Sequence, residues 1–190
     1  MARKIGLTLD TVVDAAVVVA DRDGLDSVTL ARVAEALGVK SPSLYSHVDG
    51  LAGLRRQLSF RAAAQLTAAF ADAGSADGPP ADRVRGAAVA YRQFARIHPG
   101  LYASMSPAPD PAVDPELAEA FADPVRLLAG LVAGSAEPEL DSATVHRIRV
   151  LRSLLHGFIC LELEGGFGLP EALDETFELV IDSLVAMARG

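Results

Sequence analysis

The run "LARVAEALGVKSPSLYSHVDG" (Leu30–Gly50) holds two helical patterns joined at one glycine. In the first pattern Leu30, Val33, Ala34 and Leu37 share a face, and Thr29 stands where an N-cap belongs. Gly38 ends it, because glycine accepts the positive φ of a helix C-terminus. In the second pattern Ser41 reads as an N-cap with Pro42 in the first helical position. That helix has room for about two turns before Val48-Asp49-Gly50. Ala34 is small where two steeply crossing helices must approach, and Leu37, Val39 and Leu44 flank the turn. With Leu44 pinned inward, Lys40, Ser41, Ser43, Tyr45, Ser46 and His47 are left facing outward. A short polar helix held rigidly by its neighbours suits a DNA major groove, and its N-terminus offers free N–H groups to phosphates.

Working outward, "TLDTVVDAAVVVADRDG" predicts a helix capped by Thr8 or Asp10 and stopped by Gly24, with Val12, Ala15, Ala16, Val19 and Ala20 on one face. On the other side Asp49 is expected to cap a long helix from Leu51 to about Ala71. "DAGSADGPPAD" (Asp72–Asp82) reads as a linker. Helical spacing then covers Asp82–Ile97, a short piece at Leu101–Met105, Pro115–Ala133, Ser142–Glu164 and Asp174–Ala188. Pro124 should kink or split the third of these, and "GGFGLP" (Gly165–Pro170) breaks the chain before the last. No period-two alternation persists. The expected fold class is therefore all-α, a three-helix helix-turn-helix head followed by a larger C-terminal helical domain.

Composition limits the function. Half of the 190 residues are apolar and 22% are charged, so the chain has enough material for a packed core. No stretch reaches the ~18 apolar residues of a membrane span, and the N-terminus lacks the apolar segment of a signal peptide. A lone cysteine, Cys160, makes no internal disulfide, which fits a cytoplasmic protein. The net charge of −8 is unevenly spread. Residues 1–61 hold 8 basic and 7 acidic side chains, a balance of +1, and residues 62–190 hold 9 and 18, a balance of −9. Salt screens charges beyond about 8–10 Å, so an acidic body does not bar a near-neutral head from DNA.

Other chemistries fit poorly. His47 and Ser43 share one short helix, but the nearby carboxylate, Asp49, is better used as a cap than as the third member of a catalytic set. The four histidines are scattered and form no metal motif, so neither a metal nor a cofactor is expected. His156 and Cys160 lie one turn apart, which supplies two ligands and not a closed site. An enzyme would have to draw on His98, His156, Glu162 and Glu164, which no motif orders, so the chain is expected not to be one. The last two helices carry broad apolar faces. Leu151 and Phe158 on one, and Phe177, Ile181 and Leu184 on the other, are the expected homodimer interface, packed as a four-helix bundle across a two-fold axis.

The run "GLDSVTLARVAEALGVKSPSLYSHVDGLAGL" (Gly24–Leu54) resembles the DNA-binding domain of the TetR family of transcriptional regulators, a likeness that extends over Thr8–Leu58. "LRSLLHGFICLELEGGFGLP" (Leu151–Pro170) with "TFELVID" further on is similar to the C-terminal domain of that family's WHG branch. The resemblance implies a dimeric repressor of a palindromic double-stranded DNA operator, released by a small-molecule effector. It leaves an activator, or a regulator without a ligand, as the alternative. It assigns residues 1–50 to DNA, 51–71 to the start of a connecting helix, and 72–190 to ligand and partner subunit. Thr29, Lys40, Ser41, Pro42, Ser43, Tyr45 and His47 match the family's DNA-facing positions. Tyr91, Phe94, His98, Tyr102, Phe121, Leu155, His156 and Ile159 are the candidates to line the ligand pocket. Few charges fall inside the C-terminal domain, which favours an apolar or aromatic effector. Many relatives place a lysine where this chain has Leu51, so Arg55, Arg56 or the Arg3-Lys4 tail is expected to supply the missing phosphate contact.

Overall fold

Thr8 opens the first helix, α1 (Leu9–Asp23), through a reciprocal cap. Its hydroxyl accepts the Thr11 N–H, and the Thr11 hydroxyl accepts the Thr8 N–H. The structure is a computed structural model that describes residues 6–74, 79–133, 135 and 139–189, so the Arg3-Lys4 tail lies outside the described residues. A 3-10 turn, Leu25–Ser27, leads into α2 (Leu30–Leu37), which Thr29 caps by accepting the Arg32 N–H at 3.2 Å. Gly38 takes φ +68°, which aims its N–H and that of Val39 back at the carbonyls of Glu35 and Ala34.

The short polar helix after Gly38 departs from expectation. Ser41–Ser46 is a 3-10 helix, not an α-helix, and Ser41 is its first residue and not its cap. Lys40 holds the cap position, where its carbonyl accepts the Ser43 N–H at 2.9 Å. Six residues are too few for an α-helix to stand alone, and Pro42 removes one donor from the ladder, so the tighter spiral wins. Leu44, fully buried, anchors it. Asp49 also differs from its expected role. Its carboxylate makes no hydrogen bond to the next helix, α3 (Gly50–Gly74). The chain enters α3 through main-chain bonds from Gly50 to Val48 and from Gly53 to Asp49.

Helix α3 reaches further than its apolar pattern suggests, and α4 (Pro80–Ile97) begins within the expected linker, of which residues 75–78 lie outside the described residues. A short α5 (Pro99–Ala103) follows. Next come α6 (Pro115–Ala133), α7 (Ser142–Leu163) and α8 (Leu173–Arg189). Pro124 does not split α6, which runs through it with the proline ring buried. No strand occurs among the described residues. None of their helices is long and apolar enough to cross a membrane.

One apolar core joins these elements from Val12 to Leu184. At some 1.5 Å per residue, α3 spans roughly 37 Å. It packs against α1, α4, α5 and α6. Ion pairs fix its rotation. Arg61 reaches Asp14 of α1 at 2.5 Å, and Arg56 grips Asp114 through two nitrogens at 2.6 and 2.9 Å, with Glu116 at 2.8 Å. Arg92 on α4 is almost fully buried, clamps Glu162 of α7 and Asp174 of α8, and lies 4.5 Å over the Phe177 ring.

The head meets the body at α5. Asp21 of α1 accepts the N–H groups of Gly100 at 2.9 Å and Leu101 at 3.2 Å, and its second oxygen lies 2.7 Å from Nδ1 of His98. Gly100 sits against the Ala20 main chain, where a Cβ would come within 2.3 Å of the carbonyl carbon. Gly100→Ala should therefore force α1 and α5 apart, at a cost of about 1–3 kcal/mol. Urea unfolding would show this as a lower midpoint, and an unchanged midpoint would mean the junction yields freely.

Candidate nucleic-acid interface and ligand cavity

The outer face of the head is built by what the inner face buries. Val33, Ala34, Leu44 and Val48 are buried, so Lys40, Pro42, Ser43, Tyr45 and Ser46 stand outside and Tyr45 keeps 63% of its surface exposed. Ser41 and His47 are half-buried at the two ends of the reading helix. Thr29 is exposed but already uses its hydroxyl as the α2 cap. All seven residues expected to face DNA are thus exposed or half-buried on the head, with one lysine and several hydroxyls and no carboxylate among them. Leu51 is half-buried and packs on the core, which explains an apolar residue at that site. Of the expected substitutes, Arg56 is committed to Asp114 and Glu116. Arg55 keeps one loose partner, Asp26 at 3.6 Å.

The second feature is a cavity of about 330 Å³ between α3, α4, α6 and α7. Leu66 and Phe70 of α3 form one wall, Phe121 and Leu128 of α6 another, and Ile148 and Leu155 of α7 a third. Of the eight expected ligand residues, Tyr91, Phe121 and Leu155 line it. The other five do not. His98 is held by Asp21, Phe94 packs on the His98 ring, and Ile159 is fully buried in the core. The Tyr102 hydroxyl lies 2.5 Å from Nδ1 of His156, so these two satisfy one another behind the cavity. Arg152 at the cavity's edge was not singled out from the sequence. The available signal is a cation interrupting the Ile148–Leu155 stripe of α7.

Burial raises the hydroxyl pKa values of Tyr91 and Tyr102 and keeps both neutral. It also pushes the Cys160 thiol up, so the Sγ at 3.5 Å from Nε2 of His156 is a thiol and not a thiolate. The residues an enzyme would need are dispersed, since His98 holds the head junction, Glu162 holds Arg92, and Glu164 is exposed beyond α7.

The five residues expected at the dimer interface need correction. Leu151, Phe158, Phe177, Ile181 and Leu184 are buried within one chain, so they cannot form the outer surface. They pack inward because Arg92 and the α4 face cover them. The opposite stripe of α7 is the exposed one, with Val150, Leu154 and Leu161 each 40–47% exposed and Leu179 of α8 at 68%.

Residues 12–50 match the family described as bacterial regulatory proteins, tetR family, and residues 84–184 match the tetracyclin repressor-like C-terminal domain. The chain is 31% identical to the HTH-type transcriptional regulator YobS of Bacillus subtilis, over 98% of this chain and 95% of that protein. Among solved structures it is similar to a Rhodococcus protein of unknown function, with a TM-score of 0.79 at 24% identity over 96% and 95% of the two chains. It also superposes on LfrR of Mycobacterium smegmatis, solved with proflavine, with a TM-score of 0.63 at 18% identity over 95% and 93% of the chains.

Burial, and next the charge of Arg152, hold the His156 imidazole below its ordinary value of 6.5. A depressed histidine adds stability above its unfolded value, and that stability is lost as pH falls through the folded one. The melting temperature should fall between about pH 7.5 and pH 5, and His156→Gln should reduce that fall. Parallel curves for the two proteins would show that the buried imidazole adds nothing.

Proposed function

The chain belongs to the TetR family of bacterial transcriptional regulators, and from that premise we propose that it is a homodimeric cytoplasmic repressor whose palindromic operator is released when a small, mainly apolar molecule fills the cavity. Residues 1–50 serve the DNA, α3 is the connection as far as 71, and residues 72–190 hold ligand and partner. One observation carries the reading. α3 starts four residues after the reading helix ends and, further along the same rod, lends Leu66 and Phe70 to the cavity wall. A molecule that prefers one packing of that wall also prefers one placement of the head. Ligand and operator then weaken each other's binding by the same factor. The proflavine bound by LfrR, a protein of the same fold, supports a small-molecule effector.

On the DNA side, Lys40 and the free N–H groups at the start of the reading helix engage phosphates. Ser43 and Pro42 face base edges, and Tyr45 and His47 serve the backbone. Thr29 and Ser41 flank these contacts. The partner subunit covers Val150, Leu154 and Leu161 of α7 and Leu179 of α8, which sets the two reading helices about 34–36 Å apart on successive major grooves.

A gel-shift titration on the DNA upstream of the chain's own gene tests this. Tyr45→Ala with His47→Ala should abolish the shift while the protein still elutes as a dimer, and binding that survives unchanged would disprove the assigned reading face. Leu154→Asp with Leu161→Asp should yield a folded monomer on a sizing column, with operator affinity reduced at least about a hundred-fold. A persistent dimer would place the interface elsewhere.

A further inference from the structure

The cavity wall is apolar except at one edge. Arg152 is the one charged residue among those lining it, and it stands at the mouth, exposed to water. Several other arginines are spent on structure, with Arg56, Arg92 and Arg126 each holding two carboxylates. Arg152 holds none among the described residues. Its neighbours one turn away on α7 are Ile148, Arg149, Leu155 and His156, none of them acidic. Beside it lies the hydroxyl of Tyr91, a residue only 7% exposed, within hydrogen-bonding reach of Arg152 and Tyr102. The Tyr91 phenol is neutral, and its O–H is a donor that can turn toward an anion at the mouth.

We propose that the occupant of this cavity is a hydrophobic monocarboxylic acid, with its tail among Phe70, Phe121 and Leu128 and its carboxylate held by the Arg152 guanidinium and the Tyr91 hydroxyl. The inference rests on the effector reading above and narrows its chemistry. A planar guanidinium presents paired N–H donors that match a carboxylate, and one positive charge balances one negative charge. An apolar wall rejects a second charge on the ligand, because nothing inside would compensate its lost hydration. A neutral ligand would leave Arg152 unpaired, and a cationic one would be repelled by it. Since the guanidinium is exposed, its attraction is damped by salt and decides selectivity more than total affinity.

Calorimetric titration of the full-length protein with decanoate, decan-1-ol and decylamine, which share one tail, tests this. Decanoate should bind about ten-fold tighter than decan-1-ol, and decylamine weakest, with the decanoate advantage shrinking as salt is added. Arg152→Gln should remove that advantage and leave decan-1-ol within about two-fold, and Arg152→Glu should turn the preference toward decylamine. Decan-1-ol or decylamine equalling decanoate on the unaltered protein, a preference indifferent to Arg152, or no binding of decanoate would each overturn the inference. The gel shift separates this from the wider reading. Decanoate that binds as described and leaves the operator complex intact sinks the effector role and not the ligand class. Failure to bind DNA at all sinks the regulator reading alone.

Discussion

The arrangement of the whole molecule depends on one carboxylate laid across the start of one very short helix. α5 is five residues long, too short to be stable on its own, and its first N–H groups lack helical partners. Asp21 supplies them from 79 residues away in the chain, while Gly100 lets the α1 and α5 backbones touch. A second tie, from the Ser59 hydroxyl to the Ser104 carbonyl at 2.8 Å, binds α5 to α3. Because α5 also carries Tyr102, which stacks edge-on against Tyr91, the same short element joins the head, the connecting helix and the back of the cavity. The head is thus not a bead on a string. Its orientation is set by main-chain contact, which tolerates very little slack.

Charge is used in the body mainly to fix helices against each other. Arg56, Arg61 and Arg92 each bridge two elements, and Arg92 does so under nearly complete burial with both its charge and its flat face satisfied. Breaking such a pair leaves an uncompensated ion, so these contacts define one packing rather than adding much net stability. The consequence for function is a division of labour. Arg56 and Arg61 of α3, which could have met phosphates, are drawn to carboxylates of the protein. Among the seven residues expected to face DNA, Lys40 is the one lysine, set beside hydroxyl groups.

Much of the head was legible in sequence because its determinants are local. A capping threonine, a glycine at positive φ and a four-residue apolar spacing act within one or two turns, and Leu30–Leu37 and Gly38 fall where those signals put them. The short helix after Gly38 was located correctly but given the wrong hydrogen-bond register, since the balance between 3-10 and α geometry over six residues depends on how Leu44 is pulled into the core. The resemblance to the TetR family was also legible there, and the chain's membership bears it out. The body was read less well at its surfaces. α7 carries two apolar stripes, one through Leu151, Leu155 and Phe158 and another through Val150, Leu154 and Leu161. Periodicity reports both and cannot say which one α4 and α8 will cover. The stripe expected to meet a partner proved to be the one already buried.

The sequence by itself determined the all-helical class, the order of the elements and which residues the short helix after Gly38 leaves exposed. Each of these follows from interactions between residues a few positions apart, whose free energies do not wait for the rest of the chain. Tertiary structure alone decided the remainder. It chose which aromatic residues enclose space and which fill it, leaving Tyr91 and Phe121 on the cavity wall and pairing Tyr102 with His156. It also brought Asp21 to Gly100, and left Arg152 without a carboxylate among the described residues at an apolar mouth while giving Arg56 two. These outcomes turn on close packing and on the distance between groups many residues apart, quantities that exist only once the helices have docked.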